Sequence, residues 1–194
     1  MADIATVLYT EDEIQRRVRE LGAALTQEYE GRSPVLVSVL KGAVMFVSDL
    51  IRAVDLPLRV DFMSISRYGE SASGVVRVLK DLDQDIGGED VVVVEDIIDT
   101  GLTLSYLLSI LHAREPASIQ VCTLLDKSVR RIAPLEIPFT GFDCPDRFVI
   151  GYGLDYEERY RNLPFILAVE SPAALSDDPD ALSGYLLQPP EVVR

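Results

Sequence analysis

The chain has no tryptophan, one histidine and two cysteines among its 194 residues, and it is short of positive charge, with 18 Lys plus Arg against 32 Asp plus Glu. Each shortage excludes something. Cys122 and Cys144 are too few for a disulfide framework and lack metal-ligand spacing, which points to a reducing compartment. The sole histidine, His112, falls inside a predicted helix and reads as structural, which argues against histidine-based catalysis. A net charge of −14 leaves no broad surface to neutralise nucleic-acid phosphates and no attraction to anionic lipid. It does not exclude small phosphorylated ligands, which backbone amides and a divalent cation can hold. No basic region followed by an apolar stretch stands at the N-terminus, and Lys41, Asp49 and Glu95 break the apolar runs before membrane-spanning length. A cytoplasmic protein with neither nucleic-acid nor membrane partners is the expectation.

The composition that remains, 48% hydrophobic and 26% charged, is that of an ordinary globule. At this length about 70% of the unfolded surface would be buried, enough for a core without staples. Thr10 and Glu13 form a capping box, and Ile14, Val18, Leu21, Leu25 and Tyr29 follow at helical spacing. Val35 to Leu40 is a nearly all-apolar run, the pattern of a strand covered on both faces, and a second helix is predicted over about Ala43 to Val54. Leu58 to Ile65 and Val75 to Leu79 read as strands, with the small, polar stretch Tyr68 to Gly74 between them as a mobile hairpin or lid. Strand Val91 to Glu95, helix Thr103 to Arg114 and strand Ile119 to Leu125 come next, followed by strand-like Phe148 to Tyr152 and Phe165 to Val169. Strands alternating with helices predict an α/β domain built on a parallel sheet. From Ser171 onward the chain holds four of its 11 prolines and little periodicity, so residues 171–194 are expected as an extension lying over the surface.

Chemistry concentrates where the most buried strand ends. Val91-Val92-Val93-Val94 runs into Glu95-Asp96, then Asp99, then Thr100-Gly101-Leu102-Thr103 at the start of a helix. In an open parallel sheet, ligands bind beyond the carboxyl ends of the strands. The helix start offers free N–H groups and a partial positive charge, which suits a phosphate. Gly101 lets the backbone come close to the anion, Thr100 and Thr103 add hydroxyls, and Glu95 and Asp96 can take ribose hydroxyls or hydrated Mg²⁺. The segment is neither a Walker A loop nor a dinucleotide fingerprint. Asp81, Asp83 and Asp85 imitate a calcium loop, but Ile86 and Val92 occupy the positions that need Gly and Glu.

Glu95 to Thr103 resembles the motif of the type I phosphoribosyltransferases, and the wider chain, from about residue 8 to 170, is similar to the hypoxanthine and hypoxanthine–guanine members of that family. Val39-Leu40-Lys41-Gly42, Lys80 to Asp83, Leu124-Leu125-Asp126-Lys127 and Phe148 to Asp155, continuing to Arg161, carry the wider resemblance. It implies a central parallel sheet flanked by helices, with a small hood from the N-terminal segment and residues about 130–165, all within a phosphoribosyltransferase domain of residues 1–170. It also implies Mg²⁺, 5-phosphoribosyl-1-pyrophosphate and a 6-oxopurine as partners, and a homodimer or homotetramer. Residue by residue, Asp99 to Thr103, Leu102 included, would cradle the 5-phosphate. Glu95 and Asp96 would hold the ribose hydroxyls, directly or through the metal, and Leu40, Lys41, Gly42 and Arg161 would hold pyrophosphate. Lys127 would donate to O6 and Phe148 would stack on the base. The carbonyls of Val149 and Asp155 would face its C2 side, the Asp155 carboxylate would take a second Mg²⁺, and Asp99 would act as general acid or base. Arg67 and Tyr68 would belong to the loop that closes over the reaction; Arg67 departs from the Ser or Thr that many relatives carry. The resemblance leaves open a xanthine- or guanine-preferring enzyme and a phosphoribosyl-pyrophosphate sensor that binds RNA, the last disfavoured by the charge.

Overall fold

In a computed structural model, the structure describes residues 4–68, 75–170 and 172–187. Two sheets share the chain. The larger has six strands, and it takes its central members from the apolar runs of the sequence: β2 (Val35–Leu40), β3 (Arg59–Tyr68), β4 (Val75–Lys80), β5 (Asp90–Ile98), β6 (Ser118–Asp126) and β7 (Phe139–Asp143), in the order β4-β3-β2-β5-β6-β7. All neighbours are parallel except β3 and β4, which form a hairpin. The smaller sheet pairs β1 (Ala5–Tyr9), β9 (Ile166–Val169) and β8 (Phe148–Ile150), antiparallel throughout. It draws on the N-terminal segment and part of residues 130–165, the stretches expected to make a hood, and is called the hood; residues 139–143 join the large sheet instead and residues 166–169 complete the small one.

Helices close both faces. α1 (Glu11–Glu28) begins at the anticipated capping box, with Thr10 and Glu13 each accepting from the other's backbone. Its apolar stripe packs beside α2 (Val44–Ala53) over one face, in a core with Leu36, Phe46, Leu50, Val92, Val94 and Leu124. The opposite face is covered by α3 (Leu102–His112), whose Leu104, Leu107 and Leu111 meet Val35, Val37, Val91 and Val93. Alternate residues of β2 and β5 therefore face two different cores, which explains their nearly continuous apolar pattern.

Two departures have physical causes. β1 and β7 are short, and β7 contains Gly141, so neither shows the alternation that marks a strand. Gly141 is needed for the close approach of β7 to β6, since a Cβ there would stand 2.3 Å from the Leu124 carbonyl oxygen. Residues 172–187, expected as a surface extension, form two short helices, α4 (Pro172–Asp177) and α5 (Gly184–Leu187). Leu175 and Leu182 are fully buried against the hood, in one cluster with Tyr160, Leu163 and Phe165.

Candidate active site

β5 extends through Glu95 and Asp96 to Ile98, beyond the Val91 to Glu95 span read from the sequence. Its pairing with β2 stops at Ser38↔Val94, whereas its pairing with β6 runs on to Ile98↔Asp126. The sheet thus opens between β2 and β5, where the strand order turns outward in both directions and where such sheets bind ligands. A cleft of about 250 Å³ lies there, lined by Val39, Ile65, Glu95, Ile97, Ile98, Asp99, Thr100, Gly101, Thr103 and Leu104.

Gly101 is the N-cap of α3 at φ 81°, a conformation that favours glycine, and it contributes no capping side chain. The helix starts at Leu102, one residue before the anticipated Thr103. The loop ahead of it is tied to the segment after β6: Lys127 N–H donates to the Ile98 carbonyl at 2.9 Å, and Ile132 and Ala133 N–H donate to the Thr100 carbonyl at 2.9 and 3.1 Å. Asp99 Oδ1 stands 2.9 Å from Arg130 Nε. Arg131 pairs with Asp126 and lies against Gly101, where a Cβ would come within 3.0 Å of its Nη1. The sequence reading gives Arg130 and Arg131 no part in the site. Their signal was two adjacent cations next to Lys127 in a chain poor in them.

Three loops meet around Asp96. The Leu40–Lys41 peptide is cis, and Gly42 follows it so closely against Asp96 that a Cβ at 42 would sit 1.7 Å from Oδ2. From the other side Gly153, at φ 99°, packs on Gly42; a Cβ there would be 2.0 Å from the Gly42 carbonyl oxygen. Arg161 Nη1 donates to the Gly153 carbonyl at 2.8 Å and pairs with Asp155 Oδ1 at 3.0 Å. Lys41 Nζ lies 2.9 Å from Glu158 Oε2, and Arg161 Nη2 lies 3.4 Å from the same oxygen. Lys41, Gly42, Asp96, Asp155 and Arg161 therefore share one corner of the site. A further anchor escaped the sequence reading: Tyr152, buried at φ 48°, donates to Asp49 Oδ2 at 2.6 Å, an oxygen that also accepts from Gln15 Nε2 at 2.7 Å. It pins the loop after β8 to α2.

Lys127 and Phe148 come from neighbouring strand ends. Lys127 is only 7% exposed, and its Nζ donates to the Arg147 carbonyl at 2.6 Å, which brings the end of β6 beside the start of β8. Phe148 is 37% exposed and meets Tyr156 edge-on, with ring centroids 6.1 Å apart. Val149 is buried in the hood sheet opposite Ala168. The loop expected to close over the reaction falls largely on residues 69–74, outside the described residues; Arg67 and Tyr68 end β3.

Burial pushes the Glu95 carboxyl well above the usual carboxylate range, and the adjacent Asp96 adds to the effect. Asp96 is pushed up to about 6, chiefly by burial, with the Ile97 and Asp96 amides and Arg161 acting against it. An acid whose folded pKa is raised holds a proton that the unfolded chain gives up, so its contribution to stability falls as pH rises from the unfolded to the folded value. Between about pH 4 and 6, in chelator and without ligand, the wild-type protein should lose up to about 3 kcal/mol relative to Asp96→Asn, with any further loss at higher pH coming from Glu95, whose carboxyl the ionised Asp96 raises. Urea unfolding of both proteins across the range checks this; a constant difference would place Asp96 in contact with water.

The profile of the phosphoribosyl transferase domain matches residues 6–157. The chain belongs to that family. A hypoxanthine-guanine phosphoribosyltransferase of Bacillus subtilis is 53% identical over 166 residues, covering 84% of this chain and 92% of that protein. One from Mycobacterium avium is 53% identical over 172 residues, covering 84% and 85%. The crystal structure of a Bacillus anthracis hypoxanthine-guanine phosphoribosyltransferase superposes with a TM-score of 0.83 at 44% identity, over 86% of this chain and 99% of that one. The phosphoribosyltransferase fold read from the motifs is the fold observed. Among the described residues, no helix is long and apolar enough to cross a membrane.

Proposed function

We propose that this phosphoribosyltransferase moves the 5-phosphoribosyl group from 5-phosphoribosyl-1-pyrophosphate to N9 of hypoxanthine and guanine, a purine salvage reaction. The convergence of Lys41, Gly42, Asp155 and Arg161 on Asp96, with buried Lys127 held beside the start of the strand that carries Phe148, is the observation that best supports it. The bond from C1 of the ribose to pyrophosphate oxygen breaks, the bond to N9 forms, and positive charge develops on the sugar between the two events. Such a reaction asks for positioning and electrostatic stabilisation more than covalent help. Thr100 to Thr103 hold the 5-phosphate through amides and hydroxyls at the start of α3. Glu95 and Asp96 hold the ribose hydroxyls, and Lys41 and Arg161 turn from Glu158 to the pyrophosphate. Asp99 takes the proton that the purine releases.

Glu95 and Asp99 bring carboxylate oxygens to the cleft and Thr100 and Thr103 bring hydroxyls, a hard oxygen set that suits Mg²⁺. Among the described residues no three His, Cys, Asp or Glu side chains are grouped to hold a metal by themselves. That agrees with an ion that takes one or two carboxylates and completes its shell with substrate oxygens and water. Asp155 would hold one ion and Glu95 with Asp96 another. When bound, Mg²⁺ neutralises charge on the pyrophosphate as it leaves. Exposed Val44, Met45, Leu102 and Tyr106 support association into a homodimer or homotetramer.

Pyrophosphate release with phosphoribosyl pyrophosphate and Mg²⁺ tests the reading. Hypoxanthine and guanine should each give turnover and adenine none, because Lys127 can donate to a 6-oxo group and not to a 6-amino group. Release with xanthine alone would keep the mechanism and change the substrate. Binding of phosphoribosyl pyrophosphate without turnover on any base would make the site a sensor.

A further inference from the structure

The segment that follows the last strand of the hood has a definite place. Residues 172–187 lie against the loop that carries Asp155 and Arg161. Leu175 and Leu182 seat in the same apolar cluster as Tyr156, Tyr160, Leu163 and Phe165. Tyr160 donates its hydroxyl to the Pro179 carbonyl, Arg159 pairs with Asp180, and the Tyr156 and Ser176 hydroxyls are 3.0 Å apart. At its far end, Tyr185 donates to the Ala5 carbonyl at 2.9 Å, which fixes the segment to β1 as well.

The loop it grips has reason to need support. Tyr156 and Arg159 exchange backbone hydrogen bonds at 3.2 and 3.0 Å, and the residues between them, Glu157 and Glu158, have φ of 49° and 66°. A two-residue turn with both central φ positive normally uses Asn-Gly or Gly-Gly. Two glutamates hold it here, and Tyr160, immediately beyond, is left-handed too at φ 71°. Three non-glycine residues within four positions therefore sit in a sparsely populated conformation, which persists only where surrounding structure over-determines it. Arg161 follows this stretch directly, and Asp155 lies two residues before it.

We infer that residues 172–187 are a positioning strap: through Asp180 and the Pro179 carbonyl they hold Arg159 and Tyr160, and so hold Asp155 and Arg161 in the conformation that receives pyrophosphate. The inference rests on the pyrophosphate role proposed for Arg161. The strap touches neither substrate. Its effect belongs to the affinity for phosphoribosyl pyrophosphate and for pyrophosphate itself, and not to the purine wall at Lys127.

The test compares the full chain, a version ending at Glu170, and the double variant Tyr160→Phe, Asp180→Asn, which keeps Leu175 and Leu182 in their seats. The shortened chain should show a KM for phosphoribosyl pyrophosphate, and a Kd for Mg²⁺-pyrophosphate by calorimetry, raised about tenfold, with purine KM changed less than about twofold. The double variant should show the same selective change, at least about threefold. If the shortened chain fails to fold, the double variant decides alone. Restoring the ion pair in reverse, with Arg159→Glu and Asp180→Arg, should recover most of what Asp180→Arg alone loses. A wild-type KM for phosphoribosyl pyrophosphate in the folded double variant overturns the strap, as does an equal change toward both substrates. An inactive full chain would instead overturn the proposed function.

Discussion

Alanine at position 153 should lower kcat/KM for phosphoribosyl pyrophosphate by at least about 10²-fold while the protein still folds. The cause is backbone against backbone. A Cβ at 153 would stand 2.0 Å from the Gly42 carbonyl oxygen, and no rotamer change can move that oxygen. At φ 99° the substitution is also strained whatever room is made. The loop bearing Asp155 and Arg161 must then withdraw from the one bearing Lys41, separating the groups proposed to act on one pyrophosphate. Overpacking of this kind costs about 1–3 kcal/mol of stability, less than a domain of this size holds. Gly184→Ala is the control, because a Cβ there meets nothing within 4 Å. Steady-state kinetics with both substrates, beside thermal melts, measure the effect; wild-type kinetics in Gly153→Ala would mean that the two loops need not touch during turnover.

The second large effect belongs to the purine wall. Lys127→Ala should reduce kcat/KM for hypoxanthine by about 10²-fold, since a hydrogen bond from a charged donor to a buried acceptor is worth roughly 1.5–3 kcal/mol. Binding of phosphoribosyl pyrophosphate in the absence of base should be nearly unchanged. Lys127 also satisfies the Arg147 carbonyl, so some stability is lost with it. Lys127→Gln separates the two roles, because it retains a neutral donor and should recover part of the purine affinity. Equal purine kinetics in all three proteins would remove Lys127 from the base site.

Much of this was legible in the residues. The capping box, the buried runs of β2 and β5 and the helix start after Gly101 are local patterns, set by neighbours in the chain. The loop proposed for the 5-phosphate stood out for the same reason, since its carboxylates, glycine and hydroxyls are contiguous from Glu95 to Thr103. What escaped depends on pairs far apart. Gly42 and Gly153 look like ordinary turn glycines until the fold sets one against the other. Arg131 and Asp126 are close in sequence, but only the return of the chain past Gly101 buries the arginine. The segment after residue 170 is rich in proline and aspartate, which reads as solvated coil. Its two buried leucines acquire meaning only when the hood supplies the apolar surface beneath them.

The proposed base site draws on both sheets. The loop proposed for the 5-phosphate hangs from β5 of the large sheet and Lys127 follows β6 beside it, while Phe148 and Val149 belong to β8 of the small one. Under those roles, a lineage carrying this architecture can retune how the base is stacked and met at its C2 side through substitutions at Phe148 and Val149, leaving the 5-phosphate loop untouched. New specificities then arise without first passing through forms that no longer hold the shared substrate.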